Sequence, residues 1–388
     1  MAAAAPDPIA FPASVAPNAE QLRAAFAKSP ANSVGLEDEV MLLDPDSLEL
    51  LPRAHQVLAS LGDSETFKLE LPASQLEIVT TPNASVPELG ATLLATRREL
   101  LSHLGGSALA ASAGVHPFST GVGELNQLER YSQTIVEHGR LAQRQLVCAL
   151  QVHISVGDAD RALAVYNAAR SYLPLIAALA ANAPFYEGRD TGLASVRPKL
   201  SELLPRQGVP PAIDSWESHA KALAWGAASG AFPPRTWWWE LRPHVGYGTL
   251  EFRVPDGQSS VADATAIAAF VQALAAWLGE RYDAGAREPV AETWRIAENR
   301  WLACRYGVEG TLPDLQTGER VPTRERLLEL IETLQPTATR LGSAALLDHA
   351  RQLTAVNGAL AQRQVAAQLG VRGVAAWLAG RFLDAPSG

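Results

Sequence analysis

The chain has 388 residues, 47% of them hydrophobic and 19% charged, enough for a large core, and length alone suggests two or three domains. The net charge is −9 at pH 7 with no block of Lys and Arg, which argues against nucleic acid or an anionic membrane surface as partner. The two cysteines, Cys148 and Cys304, are too few for a disulfide framework or a cysteine metal site.

Residues 1–18 read as a disordered tail rich in Ala and Pro, without the basic and apolar regions of a signal peptide. Charges interrupt the alanine-rich stretches downstream, so no transmembrane helix is evident and a soluble cytoplasmic protein is expected. After a short helix near Glu20 to Ala27, Ser33 to Asp44 reads as a strand that sets Glu37 and Glu39 on one face. Two carboxylates on one half-buried face repel each other, and a bound cation would relieve this; an edge strand that uses charge against aggregation is the other reading. A second extended stretch, Phe67 to Thr80, carries Glu70 and Glu77, with Gln75, Glu77 and Val79 sharing a face. Ser85 to Glu88 then opens a helix that should stop at Gly105-Gly106.

A small-residue strand is expected over 106–116 and a helix or irregular stretch over 125–144. Leu146 to Gly157 alternates with Gln151 and His153 on its more polar face, where an imidazole could bind metal or simply serve the structure. A helix over 160–183 should bend near Pro174. The loop Glu187 to Arg197 holds Arg189, Asp190, Thr191, Ser195 and Arg197, which suits a binding loop as well as a set of surface ion pairs. Beyond a helix near 216–227, Trp238 to Val254 reads as a hairpin turning at Gly246 and Gly248. It places Thr249, Glu251 and Arg253 on one face near Arg242, opposite Leu250, Phe252 and Val254. Helices follow over 260–282 and, in pieces, from 291 to 382; the three tryptophans 237–239 suit packing better than a ligand platform. No linker divides the chain, so a single large domain with a helical C-terminal part fits as well as several.

The strands thus collect Glu37, Glu39, Glu70, Glu77, His153 and Glu251, ringed by Arg189, Arg197, Arg242 and Arg253. Carboxylates with one histidine suit hard cations such as Mg²⁺ or Mn²⁺ that bridge ATP phosphates, and arginines would neutralise a transferring phosphoryl group. At this point the chain resembles the type 2 glutamate–cysteine ligases, or carboxylate–amine ligases. The matching segments are Gly35 to Glu39 with Leu42 to Pro45, Gln75 to Thr80, Gln151 to Asp158, Gly188 to Ser195 with Arg197, and Trp238 to His244 with Gly248 to Arg253. They keep the family's order across residues 33–305.

The resemblance implies an α+β, glutamine-synthetase-like catalytic fold: a curved, mostly antiparallel sheet backed by helices. It implies a catalytic part over 19–310 and a helical C-terminal portion of the same domain over 311–388. It also implies ATP and Mg²⁺ or Mn²⁺ as cofactors, a small-molecule carboxylate (glutamate or similar) and an amine as partners, and leaves room for a homo-oligomer. The expected reaction forms an amide of the γ-glutamyl type through an acyl phosphate, releasing ADP and phosphate. By motif position Glu37, Glu39, Glu77, His153 and Glu251 are the expected metal ligands. Arg253 and Gln151 would contact the cofactor, and Arg189, Arg197 and Arg242 the substrate carboxylate or transferred phosphate. Four departures stand out: Gln151 where a histidine is usual, Asp38 for a glutamate, Glu240 for an aspartate, and Pro255 for a cysteine. They weaken the case for cysteine as the amine. The competing functions are a metal-dependent phosphotransferase of the guanidino-kinase type and a non-catalytic nucleotide- or amino-acid-binding protein.

Overall fold

A computed structural model describes residues 16–27, 30–62 and 64–386. Most of the expected tail over 1–18 therefore lies outside the described residues. The centre is a seven-stranded antiparallel sheet: β1 (Val34–Leu43), β2 (Phe67–Leu69), β3 (Gln75–Val79), β4 (Leu109–Ala111), β5 (Leu150–Ile154), β6 (Leu241–His244) and β7 (Thr249–Phe252). The spatial order is β2-β3-β1-β5-β7-β6, and β4 pairs with β1 beyond the end of β5, at Met41 to Leu43. The sheet rests on period two. Leu36, Val40, Leu42, Leu76, Ile78, Leu150, Val152, Ile154, Leu250 and Phe252 are fully buried on its helical side.

Asp38 shares that apolar side. It is held by Arg97, with Nε 2.9 Å and Nη2 2.8 Å from Oδ2. Arg97 comes from the helix Val86–Leu104, which Ser85 caps and Gly105 ends at φ 54°. The same guanidinium donates to the carbonyls of Phe382 (2.8 Å) and Gln258 (3.2 Å) and lies 4.4 Å from the Phe382 ring centre. One buried hub thus joins β1, this helix and the C-terminal segment. The departure from glutamate at position 38 sits in the core and leaves the polar face untouched.

Val261–Asp283 is the central helix, buried along almost its whole length. By length and composition it could cross a membrane, as could Ala159–Leu179, but 94% and 72% of their apolar windows are buried inside the fold. Both are core helices. The expected bend at Pro174 is present: a 3-10 turn at Arg170–Tyr172 precedes Leu173–Leu179, whose first turn holds the proline. The C-terminal helices Thr323–Arg340 and Ala344–Leu353 share one apolar cluster with the sheet and the helix Ala19–Phe26.

Several local expectations are corrected. Ala54–Leu61 is a helix that the sequence reading does not mark, and the strand over 106–116 shrinks to three residues. The stretch over 307–322, between two of the expected helical pieces, forms a 3-10 turn and a small hairpin, Thr311–Pro313 with Arg320–Pro322. The helix from Thr323 runs through Pro336 to Arg340, because Leu334, Thr337 and Ala338 are buried and hold the backbone in place.

Candidate active site

Cross-strand registers assemble the polar face of the sheet. Glu39 lies opposite Glu77, Glu37 opposite Gln151, His153 opposite Glu251, and Glu251 opposite Arg242. Side chains directly opposite are the closest pairs a sheet offers, so these four pairings bring the acidic residues together. Two groups result. Glu37, His153 and Glu251 offer ligand atoms within 4.8 Å of one another, and Glu39, Glu70 and Glu77 do the same. Glu70 follows β2 in the turn toward β3, so it reaches the second group without strand alternation.

The two groups differ in charge balance. Glu251 is fully buried; Arg242 holds it with Nε at 2.5 Å and Nη2 at 3.1 Å, and Arg253 also donates to it. Burial opposes ionisation, but Arg242, Arg253 and His153 outweigh it and keep the carboxyl well below its usual range. Burial likewise acts against Glu37, and His153 nevertheless brings its carboxyl down to about 2. Glu39 is raised by burial despite Arg197 and bonds from the Ala149 amide (2.6 Å) and Gln151 Nε2 (2.7 Å). Glu77 is pushed well above its ordinary value by burial and by repulsion from Glu37, Glu70 and Glu39, with Lys68 opposing. The carboxyls of the second group therefore resist ionising together, and a cation would relieve their repulsion.

His153 Nδ1 lies 2.9 Å from Thr249 Oγ1, which fixes the ring. Its Nε2 is 3.3 Å from Glu37 Oε1, yet it is buried without a properly aligned hydrogen bond. An orphaned imidazole nitrogen between two carboxylates is a donor set that fits a divalent cation. His244 and Tyr247 stack at 4.4 Å beside this ring and close that end.

Above the sheet lie cavities of about 180 and 290 Å³. Both are lined by Glu39, Glu70, Tyr131, Thr134, Trp238 and Arg253, so they are two ends of one cleft. Arg242 and Gln151 face the larger end, and Arg197 and Glu240 the smaller. Arg253 donates to Gln151 Oε1 as well as to Glu251. Glu240 accepts from Arg300 Nε at 2.9 Å, which ties the cleft to the helix Thr293–Tyr306.

Seven of the ten sequence-derived site residues, Glu37, Glu39, Glu77, Gln151, Arg197, Arg242 and Arg253, line one cleft, and His153 and Glu251 lie buried beside Glu37. Arg189 stands apart. It is exposed on the hairpin Phe185–Tyr186/Arg189–Asp190, which Asp190 pins to Arg363 at 2.9 Å. Within the expected binding loop, Arg197 reaches the cleft, the hairpin leaves Arg189 and Asp190 exposed, and Ser195 is buried, donating to Asp256 at 3.0 Å. Of the three tryptophans, Trp237 and Trp239 pack against aromatic neighbours, and Trp238 lines the cleft. Tyr131 and Thr134, one turn apart on the helix Glu129–His138, line both ends of the cleft and are among the residues that the sequence reading misses. Their i, i+3 spacing beside an exposed face is the only signal they carry.

Residues 33–375 match the model of glutamate–cysteine ligase family 2. The chain belongs to that family. The match runs past residue 305, where the sequence motifs end, into the C-terminal helices. A Rubrobacter xylanophilus protein provisionally named glutamate–cysteine ligase 2-3 is 38% identical over 354 residues, covering 89% of this chain and 95% of its own. A Gloeobacter violaceus protein provisionally named glutamate–cysteine ligase 2 is 33% identical over 88% of this chain and 94% of its own. Among solved structures, the Francisella tularensis glutamate–cysteine ligase in complex with AMP superposes with a TM-score of 0.68 at 12% identity, covering 92% of this chain and 90% of its own. A bifunctional glutathione synthetase from Pasteurella multocida gives 0.69 at 16%, covering 94% of this chain and 53% of its own. The chain shares the α+β fold of these two ligases, a mostly antiparallel sheet backed by helices, and the family member described here is an ATP-dependent ligase that forms amide bonds.

Proposed function

We propose that this ligase joins a small-molecule carboxylate, glutamate or a similar amino acid, to an amine through an acyl phosphate. The observation that carries this reading is the pair of acidic groups facing one cleft between phosphate-competent arginines. A carboxylate oxygen attacks the γ-phosphorus of ATP, and the bond from that phosphorus to the β-phosphate oxygen breaks, releasing ADP. The amine nitrogen then attacks the acyl carbon, the acyl C–O bond breaks, phosphate leaves, and the nitrogen gives up a proton.

In this reading the protein supplies orientation and charge more than covalent chemistry. Glu37, His153 and Glu251 would hold one Mg²⁺ and Glu39, Glu70 and Glu77 another; the mutual repulsion that pushes Glu77 up and the His153 nitrogen left without an aligned hydrogen bond support this. Bound there, the cations would neutralise phosphate charge. Arg253 is the better placed nucleotide-phosphate contact, since its side chain is 21% exposed to the cleft, against 13% for Arg242. Arg242 holds Glu251 in position, and Gln151 orients Glu39 and Arg253. Residues 19–310 would form the catalytic part and 311–388 a helical buttress of the same domain.

The test is release of ADP and phosphate with Mg²⁺-ATP, glutamate and a panel of amines including cysteine. Phosphate release that requires both the carboxylate and one amine is the expected outcome. ADP without free phosphate would replace the ligase reading with a phosphotransferase.

A further inference from the structure

Arg206 belongs to none of the segments that carry the resemblance, yet it lines the larger end of the cleft, about 290 Å³. Its backbone is strained. With φ at +59° it occupies the left-handed region that residues with a side chain seldom adopt, and such strain persists only where the surroundings over-determine it. Aromatic rings supply much of that determination. The guanidinium carbon lies 4.7 Å from the ring centre of Phe232 and 5.8 Å from that of Trp238. Nε donates to the Thr236 carbonyl at 3.0 Å, and Thr236 and Trp238 line the same end of the cleft.

The two terminal nitrogens are left over. Neither Nη1 nor Nη2 has a hydrogen-bond or ion-pair partner among the described residues, and neither is sealed away from solvent. Glu137, exposed on the rim, acts on the guanidinium only through space. The other arginines that line the cleft are spent on the protein: Arg242 and Arg253 on Glu251, and Arg197 on the carbonyls of Arg253 and Val254. Among the described residues of the cleft, Arg206 alone keeps both ends of its fork uncommitted.

A planar fork of N–H donors fits two oxygens of one anion. Glu37, Glu39, Glu70 and Glu77 line the same end, the first from one acidic group and the rest from the other. A carboxylate arriving alone would be repelled by these glutamates, whereas phosphate oxygens arrive with their own cations. In the ligase reading, the phosphate that faces both groups is the one being transferred.

We propose that Arg206 is a further catalytic residue, whose two terminal nitrogens hold the terminal phosphate of ATP and stabilise it on its way to the carboxylate. The proposal rests on the ligase reading above. Arg206 exchanges no proton and keeps its charge throughout. Because rings and the Thr236 carbonyl already fix its plane, little reorganisation is needed as charge spreads over the phosphoryl oxygens.

Calorimetry with Mg²⁺-ADP and with the Mg²⁺ complex of the β,γ-imido analogue of ATP compares the wild type, Arg206→Ala and Arg206→Lys. Both variants should bind ADP within about twofold of the wild type and the analogue about tenfold more weakly, since lysine keeps the charge but not the fork. Phosphate release by Arg206→Ala should fall about a hundredfold in kcat, with KM for carboxylate and amine within about threefold. Equal losses for ADP and the analogue, or no loss for either, overturn the contact while the ligase reading stands. An unchanged kcat, or a defect confined to KM for the carboxylate or amine, overturns the catalytic role. If Arg206→Ala does not fold, Arg206→Lys decides by the same contrast between analogue and ADP. A wild type that binds nucleotide without turnover fails the ligase reading, and that contrast still decides the contact; a wild type that binds neither nucleotide overturns both.

Discussion

Glu251 concentrates more of the site's electrostatics than any other residue. It is completely buried, is gripped by two arginines and lies opposite His153 in the sheet. Replacing it by Gln keeps the shape and removes the charge that Arg242 and Arg253 share. We expect Glu251→Gln to lower ATP turnover by about a thousandfold or more, the scale of losing a principal electrostatic contact in a site of this kind. Circular dichroism should show a folded chain, and full activity in that folded variant would remove Glu251 from the site's chemistry. The reverse is expected of Arg189. It is exposed, outside the cleft and on a hairpin held through its neighbour Asp190. Arg189→Ala should therefore leave kcat and KM within about twofold of the wild type, in line with surface substitutions generally. A tenfold loss would mean that this hairpin reaches the substrate.

At the scale of elements, the turn between β6 and β7 is a pressure point. Gly248 has φ +66°, and a Cβ there would lie 2.1 Å from the Ala25 carbonyl oxygen of the helix Ala19–Phe26. Gly248→Ala combines a left-handed backbone with a clash against rigid backbone. A loss of about 2 kcal/mol or more in urea unfolding is expected, and a variant as stable as the wild type would show that the helix moves aside freely. The same hairpin shows what the sequence made legible. Alternation along β1, β3, β5 and β7 identifies Glu37, Glu39, Glu77, His153 and Glu251 as residues of the polar face, because period two fixes the face whatever the neighbour. It cannot say which strands are neighbours. The division into one group with a histidine and one with three glutamates follows from Glu39 facing Glu77 and His153 facing Glu251, pairings made across long stretches of chain. Glu70 lies in a turn, where no period marks a face, Tyr131 lies on a helix whose period does not say what it faces, and Arg189 belongs to a loop whose local hairpin the sequence does not reveal.

At the scale of the whole molecule, burial of neutral histidines sets the response to acid. His116 and His219 are each brought down to about 4, in both cases by burial, which a bond to the Leu48 carbonyl opposes at His116. Against the ordinary value of 6.5, the unfolded chain takes up these protons first as pH falls. Their contribution to stability is therefore complete above pH 6.5 and is lost progressively toward pH 4, by ~3 kcal/mol for each histidine. Buried carboxyls that are pushed up, such as Asp256, act in the opposite sense. A difference measurement isolates the histidine. Between pH 6.5 and 4 the wild type should lose ~3 kcal/mol more than His219→Gln in urea titrations, and parallel curves would show that the imidazole protonates freely in the folded state.

The alternation of β1 has one more effect. Glu37 and Glu39 face the cleft, while Asp38 between them faces Arg97, whose guanidinium also holds the carbonyl of Phe382. Phe382, 285 residues along the chain from Arg97, is thus linked through one guanidinium to the strand position between two acidic residues of the polar face. A label that displaces Phe382 is therefore expected to disturb β1 between Glu37 and Glu39.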